Sequence, residues 1–537
     1  MHRVVRCFSL VACLSLFLSS RASASTCAEL RSIKIPSTII TSAMDVPAGT
    51  FTPTYQTPPA KIYSATVPAF CRVIGVIHPV PESTIGFEVW LPLLTAWNHR
   101  IEGVGTGAYL GRISYGSLED AIALGYAVSS TDTGHTGSDL KFAVGHPERM
   151  IDWGNRAIHE TALATKSIVA AYYGTNAAHA YFNGCSTGGG QALSEAQRFP
   201  EDYDGILAGD AGNDRVHLNV GFLWSFAAAH DGDTFVLPED KLHLLHDAVI
   251  KACDAADGVK DGILEDPLFC HFDPGVLACK TGAAESCLSP REIDAARRIY
   301  AGPKNPRTGE QIIAGLMPGS EIIQGGDYAG WQNFITSPKE PSRLDFWKYW
   351  VFDDPNWDWH KFDYDHDVAS ADEKAAVVNA SNPDLRPFQQ RGGKLLVYHG
   401  WVDPVGPPGD AISYHDAVTK VIGSPTKASE FFRLFMVPGM SHCNGGAGYE
   451  LAGGARGVDD PDGVPKWPHP DSAHDMLNAL DAWVTHGDAP QQLIAAHYED
   501  GKPTRTIPVC AFPKVARWTG KGSTDEAKNY TCTSPKR

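Results

Sequence analysis

Residues 184–188, with the sequence GCSTG, form the stretch from which the fold can be predicted. An apolar run over residues 178–183 precedes it, and a run of helix-forming residues over 191–198 follows it. The order strand, glycine-flanked turn and helix is typical of an α/β domain. A turn of this G-x-S-x-G form holds a serine hydroxyl accessible, because small flanking residues permit a sharp backbone turn. Ser186 is therefore a candidate nucleophile, and a glycine-rich helix N-terminus without chemistry is the alternative interpretation.

Strand and helix patterns alternate on both sides of this turn. Residues 156–173 predict a long helix that ends at Gly174. Period-2 and buried apolar patterns predict further strands at residues 85–91, 126–130, 394–399 and 431–437. Between residues 213 and 385 the alternation stops, and clustered cysteines, Asp-Gly turns and dense aromatic and acidic residues follow. We interpret this part as one insertion into an α/β domain.

A serine nucleophile on this kind of fold requires an acid and then a histidine later in the chain, because each follows a later strand of the same sheet. Asp403 comes four residues after the predicted strand at 395–399, and His442 comes five residues after the one at 431–437. Either residue alone is more simply a surface or core residue, since the chain contains 21 histidines. Their joint placement predicts a triad of Ser186, Asp403 and His442.

Cysteines adjoin two members of this predicted triad. Cys185 directly precedes Ser186 and Cys443 directly follows His442, so a hydrogen-bonded serine and histidine would bring the two thiols within disulfide reach. Local spacing suggests three other pairs, which are Cys253 with Cys270, Cys279 with Cys287, and Cys510 with Cys532. Counting does not decide connectivity.

The N-terminus predicts secretion. Basic residues at 2–6 precede an apolar run over 7–18, and small residues at 22–24 give the cleavage pattern of a signal peptide that covers residues 1–24. The run is too short to span a bilayer, and an N-terminal anchor is the alternative. Of the 12 cysteines, Cys7 and Cys13 leave with the peptide, and the even remainder suits an oxidising compartment. We expect an extracellular or periplasmic protein.

Composition excludes several classes of protein and partner. The 62 acidic and 45 basic residues give a formal net charge of -17, which repels phosphate backbones and anionic lipids. We therefore expect neither nucleic acid nor membrane as a partner. A hydrophobic content of 43 % with 20 % charged residues is typical of a compact globule and excludes disorder, collagen and coiled coil.

A glycine-rich segment at residues 103–111 has two interpretations. It does not fit the dinucleotide fingerprint, because Ala108 occupies the third small position and no helix pattern begins there. A loop after an early strand is where an oxyanion hole takes one amide donor, and the residue after the nucleophile supplies the other. We therefore predict Gly107 and Thr187 as the donors, with a plain surface turn as the alternative for the loop.

An acidic loop lies in the insertion at residues 253–263. Hard cations require six to eight oxygen ligands, and short Asp-Gly turns present carboxylates together with backbone carbonyls. The candidate ligands are the carboxylates of Asp254, Asp257 and Asp261 and the carbonyls of Val259 and Ile263. Because the spacing differs from that of an EF-hand, a solvated acidic turn is an equal alternative.

Aromatic residues are dense over residues 345–367. They can cover a planar ring in a substrate, or they can form the core of the insertion. The rings are those of Phe346, Trp347, Tyr349, Trp350, Phe352, Trp357, Trp359, Phe362 and Tyr364.

The adjacent Cys-Ser and His-Cys pairs, with Asp403 between them in the chain, resemble the hallmark of the tannase and feruloyl esterase family, which also includes mono(2-hydroxyethyl) terephthalate hydrolase. The likeness covers nearly the whole mature chain and is carried by residues 184–189, 198–205, 398–403 and 439–446. It implies an α/β-hydrolase core over residues 27–212 and 386–537. It also implies that a lid domain over 213–385 is inserted between nucleophile and acid. The family's five disulfides imply Cys27 with Cys71 and Cys185 with Cys443, besides the three local pairs.

The resemblance also implies a chemistry. It suggests a structural calcium ion at the 253–263 loop of the lid, and we expect no organic cofactor. It implies a secreted serine carboxylesterase that hydrolyses hydroxycinnamic or hydroxybenzoic esters through an acyl-enzyme, with the small aromatic ester free or attached to plant polysaccharide or polyphenol. Ferulates are expected ahead of gallates, because no donor cluster for three phenolic hydroxyls can be located. The alternatives are a tannase, a terephthalate monoester hydrolase, a secreted serine peptidase and a non-catalytic calcium-dependent binding module.

Overall fold

The computed structural model describes residues 24–535, except residues 55–63, 233, 281–285, 326–327, 337–339, 455–469 and 500. The predicted signal peptide thus lies, apart from its last residue, outside the described residues. In chain order the strands are β1 (Thr38–Val46), β2 (Gly49–Phe51), β3 (Ala65–Val67), β4 (Phe70–Ile77), β5 (Ile85–Pro92), β6 (Arg100–Val104), β7 (Ala127–Thr131), β8 (His179–Cys185), β9 (Gly205–Gly209), β10 (His230–Asp231), β11 (Thr234–Phe235), β12 (Lys394–Gly400), β13 (Phe432–Val437), β14 (Gln492–Glu499), β15 (Lys502–Cys510), β16 (Val515–Trp518) and β17 (Tyr530–Thr533).

Nine of these strands form one mixed sheet. Their spatial order is β1-β4-β5-β7-β6-β8-β9-β12-β13. The pairs from β1 to β7 are antiparallel, whereas every pair from β7 to β13 is parallel. Parallel strands need crossover connections, which are usually helices, so this half of the sheet confirms the predicted α/β fold.

The α-helices in the described part of the chain are α1 (Tyr115–Ala123), α2 (Pro147–Ile151), α3 (Ala157–Tyr173), α4 (Thr187–Arg198), α5 (Arg215–Ala228), α6 (Glu239–Cys253), α7 (Pro290–Ala301), α8 (Gln332–Ile335), α9 (His366–Lys374), α10 (Arg386–Gln390), α11 (Pro408–Ile422), α12 (Pro425–Ser429) and α13 (Met476–His486). Helix α3 ends at Gly174, which has the left-handed conformation of a C-cap, as predicted. No helix in the described ranges has the length and apolar character that a membrane span requires.

Both faces of the sheet are buried. In β12, Leu395 and Val397 belong to the apolar cluster on one face, and Leu396 and Tyr398 belong to the cluster on the other. Successive side chains of a strand point to opposite faces, so a continuous apolar run is what a strand covered on both sides requires. Helix α3 lies on the first face, and α1 and α13 lie on the second.

The segment 213–385 connects β9 to β12 and adds no strand to the nine-stranded sheet among its described residues. It contains α5 to α9, whose apolar side chains form clusters around Trp331 and around Trp347. The second cluster also includes Tyr109 and Trp153, which precede the segment in the chain. The insertion therefore packs against residues that precede it in the chain. Its status as a separate lid domain stays a prediction.

One histidine joins two acidic residues inside this insertion. Nδ1 of His217 on α5 lies 3.0 Å from the Asp214 carboxylate, and Nε2 lies 3.1 Å from the carboxylate of Asp372 on α9. Burial lowers the pKa of His217, but the hydrogen bonds and charges of the two carboxylates outweigh it and raise the pKa to about 10.

We expect this pairing to stabilise the fold most below about pH 6.5, the ordinary pKa of histidine. A group whose pKa is raised by folding holds its proton more tightly in the folded state, so the stabilisation is lost as the pH rises toward 10. His217→Gln should lower the free energy of unfolding by about 1 kcal/mol at pH 6 and by much less at pH 10. Denaturant unfolding across this range measures the difference. His243→Gln, at an exposed site on α6, is the control, and a difference independent of pH would contradict the prediction.

Candidate active site

Ser186 occupies the turn between β8 and α4. Its φ of 62° lies in the left-handed region, which a serine adopts only under strain. A Cβ at Gly184 would lie 2.5 Å from the carbonyl carbon of Gly188, and a Cβ at Gly188 would lie 3.1 Å from Cα of Gly105. Glycine is thus required on both sides of Ser186, because the strand, the helix and the 105–110 loop meet there backbone to backbone.

The sheet order brings the predicted triad to one edge. Ser186 follows β8, Asp403 follows β12 and His442 follows β13, and these strands are parallel and nearly adjacent in the sheet. Carboxyl ends of parallel strands meet at the same edge, where ligands of open α/β sheets bind. The spacing of Asp403 and His442 after their strands therefore places them at the same edge of the sheet as Ser186.

Asp403 and His442 form a buried pair. Nδ1 of His442 donates to Oδ2 of Asp403 at 2.8 Å, and the side chains are 6 % and 0 % exposed. Burial raises the pKa of Asp403, but the neighbouring His442 and His399 outweigh it and hold the pKa well below the usual range. Because Nδ1 carries the hydrogen, Nε2 of a neutral His442 is the basic nitrogen. It has no hydrogen-bond partner among the described residues.

A disulfide joins Cys185 to Cys443, with 5.9 Å between the Cα atoms. It connects the residue before Ser186 to the residue after His442 and so fixes the two loops against each other. The other four disulfides also have the predicted partners, and they are Cys27 with Cys71, Cys253 with Cys270, Cys279 with Cys287, and Cys510 with Cys532.

Asp210, a fully buried residue that directly follows β9, was missed by the sequence analysis. Its Oδ1 accepts the N–H of Gly400 at 2.8 Å, and its Oδ2 accepts the N–H of Cys443 at 3.1 Å. It therefore binds the end of β12, which leads to Asp403, and the loop that carries His442. Burial raises the pKa of Asp210 to about 7, against the opposing charges of the neighbouring histidines.

A second buried histidine lies behind Asp403. Nε2 of His399 donates to the Gly406 carbonyl at 2.8 Å and lies 3.4 Å from Oδ2 of Asp403. Burial lowers the pKa of His399, but the Asp210 and Asp403 carboxylates raise it to about 9. The Asp403 carboxylate thus faces two imidazoles. His399 lies in the 398–403 segment that the sequence analysis quoted. The sequence positions of His399 and Asp210 do not indicate that either residue has a role in the site.

The predicted oxyanion loop lies against the start of α4. The Thr187 hydroxyl donates to the Ala108 carbonyl at 2.6 Å. Amides in the first turn of a helix have no acceptor within the helix, so the N–H of Thr187 is available for a ligand. The structure therefore places the loop of Gly107 beside Thr187, and the donor role of Gly107 stays a prediction.

The predicted cation ligands fall into two groups. Asp257, Val259, Asp261 and Ile263 line one cavity of about 10 Å³, together with Glu265, which the sequence analysis did not single out. Asp254 acts within the loop, since its Oδ1 accepts the N–H groups of residues 261 and 262 at 3.2 and 3.1 Å.

The acidic groups at this cavity repel one another. Burial, with a smaller contribution from the Asp261 charge, raises the pKa of Asp257 to about 6. Burial, then the charges of Asp257 and Asp261, place the pKa of Glu265 well above its usual range. Arg505 lies 3.6 Å from Asp261 and offsets part of the charge. Converging carboxylates in a space for about one water-sized sphere are a donor set that suits a hard cation.

The dense aromatic stretch is mostly core. Phe346, Trp347 and Trp350 are at most 5 % exposed and belong to the cluster with Tyr109. Outside that stretch, the ring centroid of Tyr328 lies 5.5 Å from that of His442, with the planes at 84°. Tyr328 stacks on Phe334 at 5.9 Å, and Phe334 stacks on Phe222 at 4.8 Å. These three rings, Tyr328, Phe334 and Phe222, are called the aromatic stack below.

A serine on a sharp turn, joined through the adjacent disulfide to a loop whose histidine is held by a carboxylate, provides the groups that nucleophilic acyl transfer requires. Comparisons with known proteins point to a family of esterases. Residues 71–533 match the family model described as Tannase and feruloyl esterase.

The chain is 37 % identical to an uncharacterized esterase of Xanthomonas campestris pv. campestris, over 98 % of this chain and 94 % of that protein. It is 32 % identical to a probable feruloyl esterase B-2 of Aspergillus flavus, over 82 % of each. The crystal structure of feruloyl esterase B from Aspergillus oryzae superposes with a TM-score of 0.85 at 27 % identity, covering 93 % of this chain and 98 % of that one.

Replacing Cys185 and Cys443 together by Ala should reduce turnover far more than substrate affinity. Displacing the base by about 1 Å costs on the order of 100-fold in rate, whereas binding of the substrate does not require proton transfer. Steady-state kcat and KM, measured below the melting temperature of the variant, test this. The matched control replaces Cys279 and Cys287, a pair inside the insertion. Equal kcat for both double variants would contradict the prediction, as would free thiols at 185 and 443 in non-reducing peptide mapping.

Proposed function

Because the chain belongs to the tannase and feruloyl esterase family, we propose that it is a secreted serine carboxylesterase that hydrolyses esters of aromatic acids through an acyl-enzyme. Members of this family are carboxylic ester hydrolases, and so is this chain. The observation that carries the serine mechanism is the buried pair of His442 and Asp403, whose histidine loop is joined to the turn of Ser186 by the disulfide from Cys443 to Cys185.

In this mechanism the Ser186 hydroxyl attacks the ester carbonyl, and Nε2 of His442 takes its proton. Asp403 fixes the imidazole and stabilises the imidazolium that forms. The amide N–H groups of Thr187 and Gly107 donate to the oxyanion. The tetrahedral species collapses when His442 returns the proton to the leaving alcohol, which leaves the acyl group on Ser186. Water then attacks this acyl-enzyme by the same steps and releases the acid.

The aromatic stack supports an aromatic acyl group. Tyr328 contacts His442 edge to face, so a planar ring placed between the stack and Ser186 buries apolar area at about 25 cal/mol per Å². The relatives named as feruloyl esterases favour a hydroxycinnamate over a gallate. We propose a ferulate ester, free or attached to plant polysaccharide, as the first substrate to test.

A panel of esters tests this assignment. The purified protein should cleave methyl ferulate and methyl p-coumarate with higher kcat/KM than methyl gallate, a terephthalate monoester or p-nitrophenyl acetate, and it should not cleave casein. Ser186→Ala should lower kcat by about 10⁴-fold or more with the melting temperature unchanged, because binding and the oxyanion donors remain.

Ser167→Ala, an exposed serine on α3, is the control. A phosphonate should label the wild type at Ser186, as read by peptide mass. An active, folded Ser186→Ala variant would contradict the mechanism, and a preference for acetyl or peptide substrates would contradict the aromatic assignment.

We further propose that the acidic cavity of the insertion binds calcium. Support comes from the convergence of Asp257, Asp261 and Glu265, whose raised pKa values reflect burial and mutual repulsion that a cation relieves. The carbonyls of Val259 and Ile263 complete a set of oxygen donors. The ion would neutralise this charge and connect the loop to β16 and β17, since Ala516 and Tyr530 line the same cavity. Its role would be structural.

The Asp257→Asn substitution should change the melting temperature in opposite directions depending on whether calcium is bound. With the ion bound, Asp257→Asn loses a ligand and should lower the melting temperature, and excess chelator should lower that of the wild type. Without an ion, the same substitution removes a charge from a repelling cluster and should raise the melting temperature. Calorimetry with and without chelator separates the two, with Asp247→Asn, exposed on α6, as the control. A wild type unaffected by chelator, with no calcium by elemental analysis, would contradict the proposal.

A further inference from the structure

Arg215 is the first residue of α5, and it is only 3 % exposed. Its Nη2 donates to the Thr187 hydroxyl at 2.8 Å, and the same hydroxyl donates to the Ala108 carbonyl at 2.6 Å. One side chain of the insertion therefore fixes the rotamer of Thr187, and through it the distance between the start of α4 and the 105–110 loop.

A second contact joins Arg215 to the same loop. Its guanidinium lies 5.4 Å from the ring centroid of Tyr109, the residue after Ala108. The phenol oxygen of Tyr109 accepts a hydrogen bond from Asn219, one turn further along α5, at 3.0 Å. The loop that carries Gly107 is thus connected to α5 in two ways. Its Ala108 carbonyl is linked to Arg215 through Thr187, and its Tyr109 side chain contacts Arg215 and Asn219.

The charge of Arg215 has no carboxylate partner within ion-pair distance among the described residues. A second guanidinium, that of Arg343, lies 6.0 Å from the centroid of the same Tyr109 ring. Burying a cation without a counter-charge is costly, and a guanidinium keeps its proton even so. Negative charge does arise close to Thr187 during ester cleavage, on the oxyanion that its amide would bind.

We propose that Arg215 is a positioning residue for the oxyanion hole, which acts through Thr187 and Tyr109 to hold the two donor segments at a fixed separation. This inference rests on the proposed serine mechanism. The insertion then does more than cover the active site, because α5 supplies the side chain that keeps the hole assembled.

Kinetics of variants test the proposal. Arg215→Met removes the charge and the hydrogen bond but keeps an unbranched side chain, and it should lower kcat for methyl ferulate and for p-nitrophenyl acetate by about 10- to 100-fold, with KM within about threefold. Arg215→Lys, which retains a charged donor, should recover part of the loss. The matched control is Arg298→Met, whose guanidinium stacks on Trp224 of the insertion and should leave kcat unchanged.

Inhibitors separate positioning from a general structural effect. An arylboronic acid forms a tetrahedral adduct with a catalytic serine and places an oxygen in the oxyanion hole, whereas free ferulate binds as a ground-state ligand. Arg215→Met should weaken boronate binding by the same factor as kcat/KM and leave ferulate binding unchanged. Thr187→Val, which deletes the shared hydroxyl and leaves Arg215 in place, should reproduce the loss, and the double variant should be no worse than either single one.

Several results would overturn the proposal. A folded Arg215→Met or Thr187→Val variant with wild-type kcat would do so. A rise in KM restricted to a negatively charged terephthalate monoester would instead assign Arg215 to binding a substrate carboxylate. A wild type that a phosphonate does not label at Ser186 would overturn the serine mechanism together with this inference. A labelled wild type with an unaffected Arg215→Met variant overturns the inference alone.

Discussion

The disulfide between Cys185 and Cys443 is the constraint on which the geometry of the site depends. It closes a loop of 258 residues, and that loop contains the whole insertion and the two strands that lead to Asp403 and His442. The sulfur atoms lie against Asp210, with Cys185 Sγ at 3.7 Å from its carboxylate. A covalent bond and a buried carboxylate therefore secure the same junction of four strand ends, those of β8, β9, β12 and β13. The disulfide limits movement of the serine turn relative to the histidine loop.

Several buried charged groups meet at this junction, and the loss of any one of them would leave another without its partner. Asp210 and Asp403 are fully buried, and each is compensated by backbone N–H donors and by imidazoles. Removing one partner from such a network leaves an uncompensated buried charge, which costs more than the bond itself contributed. The opposite directions of the two pKa shifts follow from this arrangement. Asp403 faces His442 and His399 directly, whereas Asp210 has weaker contacts with them and its burial dominates.

The sequence predicts the elements of this site because each has a local pattern, while most of their partners have none. Apolar runs predicted the strands before Ser186, Asp403 and His442 within one or two residues. Helix α4 begins at Thr187, four residues before the run that predicted it, because three consecutive glycines have low helix propensity and hid its first turn. Glu265 and Arg215 belong to no recognised sequence motif. Their roles follow from contacts that only the folded structure shows.

The positions of these unpredicted contacts show how the sheet and the insertion are connected at the site. Asp210 and Arg215 are five residues apart, at the point where the chain leaves β9 and enters α5. The first binds the N–H of Cys443, next to His442, and the second binds the Thr187 hydroxyl. The strand end and the first turn of the inserted helix thus contact the histidine loop and the start of α4, respectively. Because α5 packs against α7, α8 and α9 and also binds Thr187 through one hydrogen bond of 2.8 Å, it connects the interior of the insertion to the start of α4. An insertion that sits on the sheet only as a cover would not need its first helix anchored at that position.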